Sequence, residues 1–148
     1  QVVVSRRLGA DFTGNPFSLY RKLRKRNPSP YMYYMEFEDH VVVGASPESL
    51  VRVSDGKVMT NPIAGTRRRG IDKAEDVALE KELLADPKEL AEHDMLVVLG
   101  RRETEKVCVP GTVGVTKYKE VVHYEHVMHL VSEVEVKLLP ALHPLDVL

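Results

Sequence analysis

The segment HVMHLVSEVEVKLL, residues 126–139, alternates apolar and other side chains over most of its length. Such alternation is typical of a β-strand with one buried face, because successive side chains of a strand point to opposite sides of the sheet. The segment therefore predicts a long strand, and His129 lies on the face opposite the buried one. The buried face carries five apolar side chains: Met128, Leu130, Val134, Val136 and Leu138.

Turn signals divide the region before this segment into four strands, most of them antiparallel. Glu38-Asp39 predicts a tight acidic turn, and Asp55-Gly56 is a pair that two-residue hairpin turns favour. A β-branched run, QVVVSRR at residues 1–7, predicts one more buried strand. The segments that flank the turns are YMYYMEF at residues 31–37, HVVVGAS at 40–46 and SLVRVSDGKVMTNPIAG at 49–65.

Capping signals mark two of the three predicted helices. The first covers residues 15–27, where Asn15 is the N-cap and the following proline suits the first helical position. The last begins after the cap Asp86, and Gly100 is its predicted C-terminal stop. Glu89, three residues after the cap, fits a capping box.

The remaining helix is predicted over residues 72–86, with four apolar side chains on its core face. Strands followed by helices, rather than strict alternation of the two, favour an antiparallel sheet over a parallel one. We therefore predict an α+β fold of mainly antiparallel sheets with helices packed on their outer faces. The predicted core side chains of this helix are Val77, Ala78, Leu83 and Leu84.

The composition is that of one ordinary domain, with 148 residues and a net charge of −1. This charge gives no general case for binding nucleic acid or a membrane. Cys108 is the one cysteine, which fits a reducing compartment, so we expect a cytoplasmic protein, or a plastid one in a plant. The chain starts in an apparent strand and stops in an apparent helical turn. We therefore expect residues 1–148 to be a partial domain, truncated at both ends.

Three residues are candidates for chemistry, and each also has an ordinary structural interpretation. Glu48 follows a Ser-Pro turn and is either an exposed turn residue or a proton-transfer group. Glu92 shares a helix face with apolar residues, so it either pairs with Lys88 or binds a hard cation. His129 on its strand is either a hydrogen-bonded structural residue or a catalyst.

The segment NPIAGTRRRG, residues 61–70, predicts a loop with three consecutive arginines. Guanidinium groups favour carboxylates and phosphates, so the loop is a candidate anion site. From the residues alone the protein is an α+β domain with an anion-binding loop and one or two interior carboxylates. The choice between an enzyme and a binding module stays open at this level.

A set of motifs adds a family resemblance that covers almost the whole chain. QVVVSRR, NPSPYMYYM, GASPESLVRV, NPIAGTRRRG, DPKELAEHDMLV and HYEHVMHLVS occur in this order. Together they resemble the chorismate-binding domain of anthranilate synthase component I. The resemblance implies a lyase of tryptophan biosynthesis that uses Mg²⁺ and converts chorismate and ammonia to anthranilate and pyruvate. It also implies a glutamine amidotransferase subunit as the ammonia source and tryptophan as a feedback inhibitor.

Roles for individual residues follow from matching these motifs. Glu48 matches a catalytic glutamate, the general acid near the departing hydroxyl, and His129 matches a histidine of the pyruvate-eliminating step. Glu92 matches a glutamate that binds Mg²⁺. The substrate-binding matches are Ala64, Gly65 and Thr66, and the tryptophan feedback site matches Asn27, Pro28, Ser29, Pro30, Tyr31 and Met32.

Two positions distinguish among relatives that use chorismate. Isochorismate synthases carry a lysine where this chain has Gln1, and aminodeoxychorismate synthases carry a nucleophilic lysine where it has Ala64. Without either lysine, ammonia itself is the expected nucleophile. The alternatives are an aminodeoxyisochorismate, aminodeoxychorismate or isochorismate synthase, or a non-catalytic tryptophan-binding relative. The last is motivated by departures from the family pattern, chiefly Val98, Arg102 and Glu103.

We expect residues 1–148 alone to be inactive. In the family, a second Mg²⁺-binding glutamate and an arginine that clamps chorismate lie in motifs that this sequence does not contain. Anthranilate fluorescence with chorismate, Mg²⁺ and ammonium measures turnover directly. Clear turnover by the 148 residues would contradict this expectation.

Overall fold

The computed structural model describes residues 5–148, and the chain divides into two compact units after Pro47. The first unit contains a helix followed by a two-stranded antiparallel hairpin, as predicted. Asn15 caps the helix, because its side-chain oxygen accepts a hydrogen bond from the N–H of Ser18 at 3.1 Å. The elements are α1 Pro16–Arg26, β1 Tyr31–Glu36 and β2 Val41–Ser46.

The strand predicted at residues 1–7 is not observed in the part of the chain that the structure describes. Residues 5–7 form no strand, and residues 1–4, including Gln1, lie outside the described range.

The second unit contains a five-stranded antiparallel sheet, two helices and a short 3₁₀ helix, which confirms the α+β prediction. Both helices pack against the sheet. The strands are β3 Arg52–Ser54, β4 Lys57–Thr60, β5 Ile63–Arg68, β6 Gly114–His123 and β7 Val127–Lys137. The helices are α2 Lys73–Ala85, α3 Pro87–Glu105 and the 3₁₀ helix Pro144–Val147.

Strand β7 is the centre of this sheet, and both of its edges are paired. Val134 lies between Thr60 of β4 and Val115 of β6. Leu130 lies between Ala64 of β5 and Val121 of β6. Strand β6 therefore follows one edge of β7, and β4 and β5 follow the other.

The predicted core face of β7 is confirmed. The five apolar side chains predicted for it are all buried: Met128, Leu130, Val134 and Val136 of β7, and Leu138 directly after the strand. Val136 and Leu138 form an apolar cluster with Val58 and Cys108, and Met128 and Leu130 form another with Leu83 of α2. The period-two pattern of the sequence thus places the core on one side of the central strand.

The loop predicted at residues 61–70 is wrong over most of its length, because Ile63–Arg68 forms β5. Thr60 pairs with Val134 and Ile63 with Val131, so the register of β4 continues across Asn61-Pro62. Pro62 cannot donate a ladder hydrogen bond, but its carbonyl accepts one from Ser132 N–H at 3.0 Å. The region between α1 and α2 therefore holds five strands rather than the predicted four.

The helices differ from prediction in the face that they bury. In α2, Leu79 and Leu83 pack in the core, whereas Val77, Ala78 and Leu84 are exposed. The predicted core position is therefore confirmed for Leu83 and wrong for the other three, because the sheet packs against the side that also carries Asp76, which pairs with Arg69 of the segment after β5.

The helix α3 continues beyond Gly100, its predicted end, to Glu105. At Gly100 a Cβ atom would lie 3.4 Å from the Thr60 methyl group and 3.6 Å from Pro62, so the helix passes close to the sheet there. The core face of α3 carries Leu90, His93 and Val97. The prediction that the apolar residues sharing a face with Glu92 are buried is wrong for Met95 and Leu99, which are exposed. In the described residues no helix is long and apolar enough to cross a bilayer.

The arginines of the segment pair with carboxylates of this chain. Arg67 bonds to Glu82 at 2.8 Å and to Asp86 at 2.6 Å, and Arg68 pairs with Glu75. The prediction that this run is an anion site is therefore wrong in the described structure. Arg69 pairs with Asp76. The guanidinium groups of Arg67, Arg68 and Arg69 therefore attach the end of β5 to α2 and to Asp86, which lies between α2 and α3.

We predict that Asp76 makes stability depend on pH in the acid range. Hydrogen bonds from Arg69 and from Gly70 N–H lower the pKa of Asp76 from 3.8 to about 2. A lowered folded-state pKa adds stability above the unfolded value of 3.8, and this contribution is lost as the pH falls toward 2.

The substitution Asp76→Asn should lower the free energy of unfolding at pH 7 and flatten its decrease between pH 4.5 and pH 2. Urea denaturation of a purified protein that contains this chain, followed at several pH values, measures both effects. Asp11→Asn, at an exposed position, is the control. An unchanged pH slope in Asp76→Asn would contradict the assignment.

Candidate active site

A β-bulge in β5 brings two predicted site residues together. Gly65 has a φ of +83°, in the left-handed region that glycine adopts readily. Before it, Ala64 pairs with Leu130, and after it, Thr66 pairs with His129. Because paired residues share a face, the bulge places Thr66 on the face of His129, opposite the core.

The imidazole of His129 is held on two sides. Thr66 Oγ1 lies 2.9 Å from His129 Nδ1, a hydrogen-bond distance. The ring of Tyr124 meets the imidazole edge-on, with ring centroids 5.5 Å apart. A threonine hydroxyl can donate or accept, so this contact suits either neutral tautomer of the histidine.

Glu48, the other predicted catalytic residue, has an electrostatic environment that suits an acid. Partial removal from solvent raises the pKa of Glu48, and a hydrogen bond with the Ile63 backbone opposes that rise. The pKa of Tyr124 is raised by burial and by the negative charge of Glu48. Tyr124 therefore lies within reach of the charge of Glu48, and its ring contacts His129.

Tyr124 was not among the site residues predicted from the sequence. It occupies the turn between β6 and β7, where its N–H donates to Val127 O at 2.8 Å and its carbonyl accepts from Arg69 Nη1 at 2.6 Å. Its place beside His129 depends on this turn, although the spacing HYEHVMH could have drawn attention to it.

Glu92 does not form a metal site with the other residues that the structure describes. No group of three or more His, Cys, Asp or Glu side chains in residues 5–148 could hold a metal ion. The alternative pairing of Glu92 with Lys88 is not seen either, because Lys88 contacts Glu89. Mg²⁺ takes six oxygen ligands and is usually bound through one or two carboxylates, with waters and substrate oxygens as the others, so Glu92 supplies at most part of such a shell and its role as a Mg²⁺ ligand stays a prediction.

Two residues of α3 that sequence reasoning missed bond to the bulge. Glu89 Oε2 accepts a hydrogen bond from Thr66 N–H at 3.2 Å instead of completing the predicted capping box. His93 is completely buried, and its Nδ1 lies 3.0 Å from Ala64 O. The core spacing of His93 with Leu90 and Val97 was the signal that could have found it.

Ala64 and the predicted feedback segment take ordinary structural positions. Ala64 is buried and shares a face with Leu130, so the register puts its side chain opposite Thr66. Asn27 is the C-cap of α1, and Tyr31 and Met32 begin β1. The intervening Pro28, Ser29 and Pro30 connect them. Substrate contact by Ala64 and tryptophan binding by residues 27–32 stay predictions.

Comparison with known proteins decides the family. The family described as "chorismate binding enzyme" matches residues 1–148, which is the entire chain. The chain belongs to the chorismate binding enzyme family.

Relatives within this family share about half of the sequence. Anthranilate synthase component 1 of Lactococcus lactis is 53% identical over 148 residues, which is all of this chain and 32% of that protein. The crystal structure of anthranilate synthase component I from Streptococcus pneumoniae has a TM-score of 0.83 and 50% identity, covering 94% of this chain and 30% of that one.

A more distant structure is the menaquinone-specific isochorismate synthase of Escherichia coli. Its TM-score is 0.63 at 27% identity, covering 72% of this chain and 24% of that one. This chain thus spans about a third of the length of the two anthranilate synthase relatives named above.

The departures from the family pattern lie on the surface of α3. Val98 and Arg102 are exposed, and Glu103 is exposed and pairs with Lys106. Nothing in the described structure explains why these residues differ.

The bulge yields a stability prediction with a matched control. Gly65 and Gly111 both have positive φ, but only at Gly65 would a Cβ meet a neighbour, Leu130 Cδ1 at 2.9 Å. Gly111→Ala should cost about 1–2 kcal/mol for the left-handed backbone. Gly65→Ala should cost about 1–3 kcal/mol more, because it also overpacks the core.

Urea denaturation of the two variants measures this difference in the free energy of unfolding. Equal costs for the two substitutions would show that the close packing at Gly65 is unimportant.

Proposed function

We propose that the protein containing this chain is an anthranilate synthase component 1 and that residues 48–148 supply part of its active site. The observation that carries the proposal is the contact of His129 with Thr66 and with Tyr124, whose pKa also responds to the charge of Glu48. Glu48, Thr66 and His129 are far apart in the sequence, and the pairing of β5 with β7 joins the last two on a chain 53% identical to an anthranilate synthase component 1.

The proposed reaction converts chorismate and ammonia to anthranilate, pyruvate and water. Ammonia forms a bond to ring carbon 2 as the carbon-4 hydroxyl leaves with a proton, as water. Loss of the pyruvate side chain and of a ring proton then gives the aromatic product. The reaction needs one group that gives a proton and one that takes a proton.

Glu48 is the proposed proton donor to the departing hydroxyl. Its raised pKa means that the carboxyl keeps its proton to a higher pH than an ordinary glutamate. General acids work best when their pKa lies near the working pH, so this shift is in the useful direction.

His129 is the proposed proton acceptor in the elimination of pyruvate. The contact between Thr66 Oγ1 and Nδ1 fixes the ring and turns Nε2 away from Thr66. Because the hydroxyl can serve either tautomer, the ring can change protonation at Nε2 without rotating. The edge of Tyr124 limits rotation on another side.

The remaining features are proposed from the family alone. Mg²⁺ at Glu92 needs ligands beyond the described residues, so no step is derived through it. Ammonia would come from glutamine through an amidotransferase subunit, and tryptophan would inhibit by binding residues 27–32. A cytoplasmic location is the expected one for this pathway.

The test is Glu48→Gln in a full-length protein that contains this chain. Removing the proton donor should lower the rate of anthranilate formation by about 10²- to 10⁴-fold. Anthranilate fluorescence with chorismate, Mg²⁺ and ammonium gives the rate, and chromatography identifies the product. The control is Glu125→Gln in the turn between β6 and β7, where the side chain is exposed, and this variant should leave the rate unchanged.

Activity of Glu48→Gln within about threefold of the parent would reject this role for Glu48. A product other than anthranilate in the parent protein would reject the proposed function.

A further inference from the structure

Two backbone groups that flank Gly65 are bonded to side chains of one helix. The Ala64 carbonyl accepts from His93 Nδ1–H at 3.0 Å. The Thr66 N–H donates to Glu89 Oε2 at 3.2 Å. Glu89 and His93 are four residues apart, so they project from the same face of α3.

These bonds hold the backbone on both sides of the bulge. A bulge disrupts the ladder of a sheet locally, so the backbone there is less firmly fixed by the neighbouring strand. Ala64 is buried and pairs with Leu130, and a carbonyl oxygen has two lone pairs, so it can accept from the helix as well as within the sheet. The imidazole of His93 supplies the hydrogen bond from the helix.

His93 is itself fixed by a chain of hydrogen bonds. Because Ala64 O can only accept, Nδ1 of His93 carries the proton and Nε2 accepts from the Ser132 hydroxyl at 2.6 Å. Ser132 Oγ in turn accepts from Lys119 N–H at 3.0 Å. His93 and Ser132 are both completely buried, and this pattern of hydrogen bonds requires a neutral imidazole with its proton on Nδ1.

The geometry of the bulge decides where Thr66 lies. In a regular strand residue 66 would share the face of Ala64, two residues earlier, because side chains alternate. With the extra residue at Gly65, Thr66 pairs with His129 and reaches its Nδ1. A loss of the bulge would therefore separate Thr66 from His129.

We propose that His93 is a positioning residue for the candidate active site: it holds the Gly65 bulge in register and so keeps Thr66 against His129. His93 is buried, and it acts on the reaction only through Ala64, Gly65 and Thr66. The kinetic part of this proposal rests on the proposed function, whereas the structural part does not.

The kinetic test compares His93→Phe with His93→Asn in the full-length protein. Phenylalanine fills the space but cannot donate to Ala64 O, so kcat for anthranilate should fall about 10- to 100-fold, as expected for a misplaced catalytic group. The KM for chorismate should stay within about twofold. Asparagine offers an N–H near the position of Nδ1, so His93→Asn should recover part of kcat.

A double-mutant cycle with Thr66→Val identifies the route of the effect. If His93 acts through Thr66, then His93→Phe should lower kcat much less when Thr66 is already valine. If the fold-losses of kcat in the two single variants simply multiply in the double variant, the proposal is overturned. Leu83→Ala weakens the core cluster that contains Leu130, beside the bulge, without removing a hydrogen bond to the bulge, so it is the control for a loss of packing alone. An equal kcat loss in Leu83→Ala would also overturn it.

Amide hydrogen exchange at Thr66 tests the structural part without any activity. His93→Phe should speed exchange at Thr66 by more than tenfold relative to Leu83→Ala, because the bulge loosens locally. Ser132→Ala should give a smaller increase in the same direction, and it replaces His93→Phe if that variant does not fold. Exchange at Thr66 equal to that in Leu83→Ala would overturn the proposal. If the parent forms no anthranilate, the proposed function fails while this measurement still decides the role of His93.

Discussion

The alternation of side chains along β7 is the constraint on which the larger unit depends. One face of this strand supplies buried side chains from Met128 to Leu138, and the other face presents His129. Both edges of the strand are paired, so its backbone groups are satisfied along its length. The core and the candidate site are therefore two sides of one element, and neither can shift without the other.

The Gly65 bulge adapts β5 to this arrangement. A regular strand would continue its alternation past Ala64 and direct residue 66 toward the core. The extra glycine reverses the faces at that point, which leaves Ala64 with the core and Thr66 beside His129. The bulge disrupts the ladder locally, and α3 holds the backbone on both sides of it through Glu89 and His93. The position of Thr66 in the candidate site and the packing of Ala64 in the core thus both depend on Gly65, which has a positive φ.

Much of the fold could be predicted where the signal was local. The cap at Asn15, the hairpin turn at Asp55-Gly56 and the core face of β7 all follow from neighbouring residues, and all are confirmed. Predictions failed where distant partners decide. Gly100 stays helical because the helix packs on the sheet there, and the arginines after Thr66 pair with carboxylates of the helices.

The sequence by itself determined the family, the α+β class, the buried face of the central strand and the identity of Glu48 and His129 as candidates. Only the tertiary structure decided that Thr66 meets His129, that Tyr124 joins them, and that His93 supports the bulge. The physical reason is that hydrogen bonds between strands and helices depend on register. The register between strands that are far apart in the chain, such as β5 and β7, is fixed by their long-range pairing, which the local pattern of either strand does not specify.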